Sequence, residues 1–212
     1  MVISSIQRFK VITMFDEFAR NIDYLRISIT DRCNLRCVYC MPQEGVCPLK
    51  HDEILSYEQI VHLCQLFARL GVHKVKITGG EPLVRKDCVA LIKAIHDIEG
   101  IDNVTLTTNG LYLKEQLPAL IDAGIRSINV SLDTTNELLY EQITRFNGAK
   151  KVVEALHEAA KTALNVKVNA VPLAEVKDED FYSLVELAKE EEIHVRFIEL
   201  MPIGLGQSLK GQ

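Results

Sequence analysis

Residues 24–40 read YLRISITDRCNLRCVYC, and the two halves of that stretch carry different messages. In the first half Leu25, Ile27 and Ile29 alternate with Arg26, Ser28 and Thr30, the period-2 pattern of a strand with one apolar and one polar face. In the second half Cys33, Cys37 and Cys40 fall within eight residues of loop. A strand that delivers its chain straight into a chemically loaded loop is the unit from which α/β barrels are built.

The same unit recurs along the chain. Alternation and β-branched residues predict the first strand at Tyr24–Thr30 and five more at Lys74–Thr78, Asn103–Thr107, Ser127–Leu132, Asn165–Ala170 and His194–Glu199. Five helical segments are expected between them. In the first, Ser56 and Gln59 have capping-box spacing, Ile60, Leu63, Cys64, Phe67 and Leu70 make an apolar face, and Gly71 supplies the C-terminal stop. The others run near Asp87–Glu99, Lys114–Ala123, Gly148–Ala163 and Asp178–Glu191. Strands alternating with helices predict an α/β fold with a parallel sheet, and six such units predict a partial (β/α)6 TIM-like barrel, open on one side. One domain is expected over residues 14–212, with residues 1–13 a leader that fits no unit, either disordered or a misplaced start.

Splitting each strand by phase separates two environments. One set, including Val75, Ile77, Val104, Leu106, Ile128, Val130, Val166 and Val168, is apolar and should meet the helices. The opposite set holds Arg26, Lys76, Thr105, Thr107, Asn129, Ser131, Lys167, Asn169 and Arg196, so the barrel interior is predicted to be polar. Closed barrels fill that space with branched apolar side chains. Unpartnered polar groups there would each cost several kcal/mol, roughly, so something polar should occupy it. Four of the inward residues are cations and none is an acid, which points to an anionic ligand.

Composition narrows the class further. No run approaches the roughly 18 apolar residues of a membrane span, and the N-terminus lacks the order of a signal peptide, so a cytoplasmic protein without membrane contacts is expected. In that reducing compartment the six cysteines are better read as metal-binding, catalytic or simply buried than as disulfides. Cys64 and Cys88 fall in helices and read as buried. A net charge of -5 argues against nucleic-acid binding, yet leaves room for a local cationic pocket. The CxxxCxxC spacing suits an iron–sulfur cluster with one iron lacking a protein ligand; Cys47 and His51 keep a zinc site open as the alternative.

Four more motifs follow predicted strands: Gly79-Gly80-Glu81-Pro82, Thr107-Thr108-Asn109-Gly110, Ser131-Leu132-Asp133 and Met201-Pro202. With Tyr39 directly before the last cysteine, the set resembles the radical S-adenosylmethionine superfamily. The segments LRISITDRCNLRCVYCMP, KITGGEPLVRKD, LTTNG, NVSLDT, VKVNAV and RFIELMPIG, in order over residues 14–204, resemble the GTP 3′,8-cyclase family of molybdenum cofactor biosynthesis. The resemblance implies that Cys33, Cys37 and Cys40 ligate a [4Fe–4S] cluster and that S-adenosylmethionine lies near Tyr39, Gly80, Ser131 and Met201. It implies GTP, or a similar anionic nucleotide, at Arg26, Lys76, Thr107 and Lys167, and an electron donor such as flavodoxin or ferredoxin. In that family an adenosyl radical takes a ribose hydrogen from GTP, and the sugar carbon then attacks C8 of guanine.

Two features depart from the family. Lys76 stands where arginine is expected, which keeps the charge and loses the bidentate fork. The family's C-terminal region also carries three further cysteines and an Arg-x-Arg element, whereas this sequence has no cysteine after Cys88. A fragment, a truncated product and a protein reduced to the first half of the chemistry all remain open. So do a different substrate and a catalytically silent iron–sulfur or zinc module. If such a region normally covers the open side of the barrel, an exposed apolar patch and a homodimer are expected.

Overall fold

The computed structural model describes residues 13–207 and 209. Its strands are β1 (Tyr24–Ser28), β2 (Lys74–Thr78), β3 (Asn103–Thr108), β4 (Ser127–Ser131), β5 (Asn165–Ala170) and β6 (Ile193–Phe197). Its helices are α1 (Tyr57–Arg69), α2 (Cys88–His96), α3 (Leu113–Asp122), α4 (Glu137–Thr144), α5 (Ala149–Ala160) and α6 (Asp178–Glu190). Every strand pairs in parallel with the next one in sequence, and each connection carries at least one helix. β1 and β6 are the free edges of the sheet, as an open partial barrel requires.

The strand phase is the predicted one. Val75, Ile77, Val104, Leu106, Ile128, Val130, Val166 and Val168 are all fully buried, each stabilising the fold by about 1.5–3 kcal/mol. They pack with Ile60 and Cys64 of α1, Leu91, Ile92 and Ile95 of α2, and Val152, Ala155 and Leu156 of α5. Cys64 and Cys88 are buried in the same core. At α1 the Ser56 Oγ accepts from Gln59 N while Gln59 Oε1 accepts from Ser56 N, and Gly71 closes the helix at φ 95°. Leu63 departs from expectation. It is exposed because the buried stripe of α1 runs through Ile60, Cys64 and Ala68, one turn apart.

Strand and helix ends also shift. β1 stops at Ser28, two residues before its predicted end, although Ile29 N still donates to Thr78 O at 2.9 Å. β6 occupies Ile193–Phe197 in place of His194–Glu199, with Ile198 N continuing to Ala170 O. α2 starts one residue later than expected because Asp87 takes a left-handed turn at φ 61°, and it ends three residues earlier, at His96. α4 was not predicted at all; Asn136 Oδ1 caps it by accepting from Leu138 N and Leu139 N.

Both edges carry apolar surface. Tyr182, Phe197, Met201 and Ile203 are exposed on the β6 side, and Phe15, Phe18, Ile22 and Tyr24 on the β1 side. The segment from Met14 folds back through a bridge between Phe15 and Asn21, and residues 1–12 of the predicted leader lie outside the described residues. Among the described residues no helix is long and apolar enough to cross a membrane.

Candidate active site

The cysteine loop leaves the C-terminal end of β1 and is held from three directions. Arg36 N donates to Thr144 O at 3.0 Å and Val38 N to Ile143 O at 2.9 Å, so the loop hangs from the last turn of α4. Within the loop, Arg36 Nη1 donates to the carbonyls of Cys33 and Leu35. On the far side, the Tyr39 hydroxyl donates to Asp133 Oδ2 at 2.8 Å, just past β4.

The Gly79-Gly80-Glu81-Pro82 turn lies against the base of this loop. Gly80 N donates to Thr30 O and Glu81 N to Arg32 O, each at 2.7 Å. A Cβ on Gly80 would sit 2.3 Å from Arg32 O, so the close approach of the two backbones excludes any side chain there. Glu81, only 1% exposed, accepts from Leu83 N and the Thr108 hydroxyl through Oε1 and from Asn109 N through Oε2. Asn109 Nδ2 in turn donates to Asn34 Oδ1 at 2.7 Å and points at Cys33 Sγ. One buried carboxylate therefore ties the loops after β1, β2 and β3 together. Sequence reasoning quoted this motif without finding that role, because the partners of Glu81 lie 27 and 28 residues away.

Cys33, Cys37 and Cys40 all carry free thiols. Burial pushes the Cys33 thiol up, and burial with the nearby Asp133 pushes Cys37 up to about 12. Cys40 is exposed at the loop surface. The thiols lie within electrostatic reach of one another, and Leu35 N donates to Cys33 Sγ at 3.4 Å. The donor set fits an iron–sulfur cluster: three soft ligands on one loop, N–H groups aimed at Cys33 Sγ, and thiols that a metal would deprotonate. The side chain of His51 lies outside the described residues.

The four positions tied to S-adenosylmethionine by resemblance all lie at C-terminal strand ends. Tyr39 follows β1, Gly80 follows β2, Ser131 ends β4, and Met201 follows β6 with its side chain exposed. The four tied to a nucleotide, Arg26, Lys76, Thr107 and Lys167, alternate with the buried apolar residues of β1, β2, β3 and β5 and so share the opposite face of the sheet. Lys76 is paired in register with Arg26 on one side and Thr105 on the other, and Thr107 aligns with Asn129 and Lys167. Burial, then the charges of Arg196, Arg26 and Lys167, hold the Lys76 ammonium below the usual lysine range. Arg196, not placed in the nucleotide set from sequence, leads those charges and donates to Asn169 Oδ1 at 2.7 Å. Lys76, Lys167 and Arg196 line a cavity of about 590 Å³ with Lys74, Arg126, Thr105 and Asn129, and Asp102 is the one carboxylate among its lining residues. Like charges concentrated in one lumen are what an anion would relieve.

A barrel-end loop of three thiols buttressed by a Gly-Gly turn is the donor set of a metallocofactor site. Residues 27–188 match the radical SAM superfamily, and the chain belongs to that superfamily, whose cofactors are a [4Fe–4S] cluster and S-adenosylmethionine. The chain is 45% identical over 192 residues to the GTP 3′,8-cyclase of Limosilactobacillus fermentum, covering 90% of this chain and 58% of that protein. To the GTP 3′,8-cyclase of Thermodesulfovibrio yellowstonii it is 47% identical over 193 residues, covering 90% and 60%. The chain thus spans about three fifths of the length of these curated relatives. Among solved structures, Streptococcus suis SuiB bound to S-adenosylmethionine matches with a TM-score of 0.74 at 20% identity, over 90% of this chain and 43% of that one. Methylornithine synthase matches at 0.68 and 18%, over 84% and 53%. These two likenesses establish the partial-barrel fold.

Proposed function

We propose that this chain is the radical-generating core of a GTP 3′,8-cyclase. The observation that carries the reading is the pairing, in one sheet, of a three-thiol loop after β1 with a cluster of cations, Lys76 close enough to Arg26, Lys167 and Arg196 for their charges to lower its pKa. Cys33, Cys37 and Cys40 would hold the cluster. When bound, the cluster would supply the one electron that splits S-adenosylmethionine, and the 5′-deoxyadenosyl radical so formed would take a hydrogen atom from the substrate.

The protein's own groups do the rest. Tyr39, Gly80, Ser131 and Met201 would surround S-adenosylmethionine, with Gly80 offering backbone where a side chain cannot fit. Arg26, Lys76, Thr107 and Lys167 would take the triphosphate of GTP and so fix the distance of the ribose from the strand ends. Lys76 contributes a point charge there and no fork. A cytoplasmic setting and an electron donor such as flavodoxin or ferredoxin complete the reading, and the exposed apolar edges favour a homodimer.

The test is isotopic. The reduced, reconstituted chain is incubated with S-adenosylmethionine and GTP carrying deuterium at C3′. Deuterium in the 5′-deoxyadenosine supports the reading; 5′-deoxyadenosine that stays unlabelled assigns the core to another substrate.

A further inference from the structure

The element that sequence reasoning missed ends in an arginine with an unusual backbone. Arg145 closes α4 in the left-handed conformation, φ 58° and ψ 29°, with its N–H bonded to Glu141 O at 2.8 Å. Glycine or asparagine usually stands at such a stop, because a larger side chain crowds the backbone. Here the side chain reaches back to the cysteine loop. Its Nη1 donates to Arg36 O at 2.9 Å and to Met41 O at 3.0 Å, across 109 and 104 residues of sequence.

Those two carbonyls bracket the segment that holds Cys37 and Cys40. The same segment gives its N–H groups at Arg36 and Val38 to the carbonyls of Thr144 and Ile143. The end of α4 therefore takes the donors of the loop while Arg145 takes its acceptors. Arg36 secures the other interval, from Cys33 to Leu35. Each span between neighbouring cysteines thus has one guanidinium across it, and the one across Cys37 and Cys40 comes from outside the loop.

We propose that Arg145 is a positioning residue for the iron–sulfur cluster, holding the Cys37–Cys40 segment in its ligating shape. This rests on the assignment of Cys33, Cys37 and Cys40 as cluster ligands. The left-handed turn at the end of α4 supplies the anchor, and the two hydrogen bonds from one nitrogen fix the span. Groups that orient ligands in this way typically change metal affinity by about 10–100-fold when removed.

The experiment compares wild type, R145G and R145K as full chains, reconstituted anaerobically. Glycine suits the left-handed position, and the side chain it removes lies at an exposed site, so the guanidinium is lost at little cost to folding. R145G is expected to melt in the metal-free state within about 2 °C of wild type, at most the shift that about 1 kcal/mol brings in a chain of this size. It should nonetheless surrender iron to excess chelator at least about tenfold faster, with a changed electron paramagnetic resonance line shape of the reduced cluster. R145K, which returns a cationic donor, should recover much of the lifetime. The inference is overturned if R145G keeps its iron as long as wild type, or loses it only in step with a lowered metal-free melting point. A chain with Cys33, Cys37 and Cys40 all changed to alanine that still binds four irons would overturn the ligand assignment, and the inference with it.

Discussion

The hydroxyl of Tyr39 donates to Oδ2 of Asp133 at 2.8 Å while Asp133 Oδ1 accepts from Val171 N at 2.8 Å. A single buried carboxylate thereby joins the cysteine loop after β1 to the chain leaving β5. Burial raises the Asp133 pKa, and the two hydrogen bonds act against that rise. Y39F keeps the ring and deletes one donor, leaving a buried acceptor short of a partner. The metal-free variant should be about 1–3 kcal/mol less stable in urea unfolding. An unchanged midpoint and slope would show that the contact carries no stability.

Gly80→Ala tests the close approach of the turn after β2 to the cysteine loop. The added Cβ meets the carbonyls of Arg32 and Asp31 at 2.3 and 2.9 Å, and neither is the far end of a flexible side chain. Relief requires the base of the loop to move, a change of the kind that typically costs about 1–3 kcal/mol. The melting temperature should fall and reconstituted iron per chain should drop with it. A variant that melts and loads iron like wild type would contradict the packing described.

Glu81 gives a pH signature. Burial, opposed by hydrogen bonds from Asn109, Thr108 and Leu83, leaves its folded pKa above the usual glutamate value. The folded state then binds the proton more tightly than the unfolded state. The associated stability is fully present below the unfolded pKa of about 4.3 and is lost as pH rises through the folded value. Urea unfolding of wild type and E81Q between pH 4 and 8 should show the wild-type advantage shrinking with rising pH across that window. A gap that widens with pH would reverse the sign and contradict the account.

Lys76 predicts proton linkage. Its pKa is lowered in the free protein by burial and three neighbouring cations, and a bound polyanion would raise it again. Binding of GTP at alkaline pH should therefore take up protons, and affinity should fall as pH rises. Calorimetry in two buffers of different ionisation enthalpy reads the uptake directly. K76A should abolish it and weaken binding roughly tenfold or more, the scale of a lost hydrogen bond to a charged group at about 1.5–3 kcal/mol.

Much of this was legible because β-strands write their two faces at period 2. Val75, Ile77, Val104 and Leu106 alternate with Lys76, Thr105 and Thr107, so one set had to be core and the other lumen. The cysteine spacing was legible for the same local reason. What escaped was short or distant. α4 has eight residues, and its cues were an Asn136 cap and the apolar residues Leu139, Tyr140 and Ile143 rather than a long periodic face. The roles of Glu81, Asp133 and Arg145 escaped because each acts on residues that only the folded sheet brings near. Arg196 shared the inward phase with the other cations, and its proximity to Lys76 depends on barrel curvature, which alternation alone does not encode.

The central claim is that this chain is a radical SAM core, and the most direct measurement is anaerobic. The chain, reconstituted to four irons and reduced with dithionite, is given S-adenosylmethionine, and 5′-deoxyadenosine is followed by mass spectrometry. The account predicts 5′-deoxyadenosine from wild type and none when Cys33, Cys37 and Cys40 are alanine. Four irons bound per chain without any 5′-deoxyadenosine would contradict it.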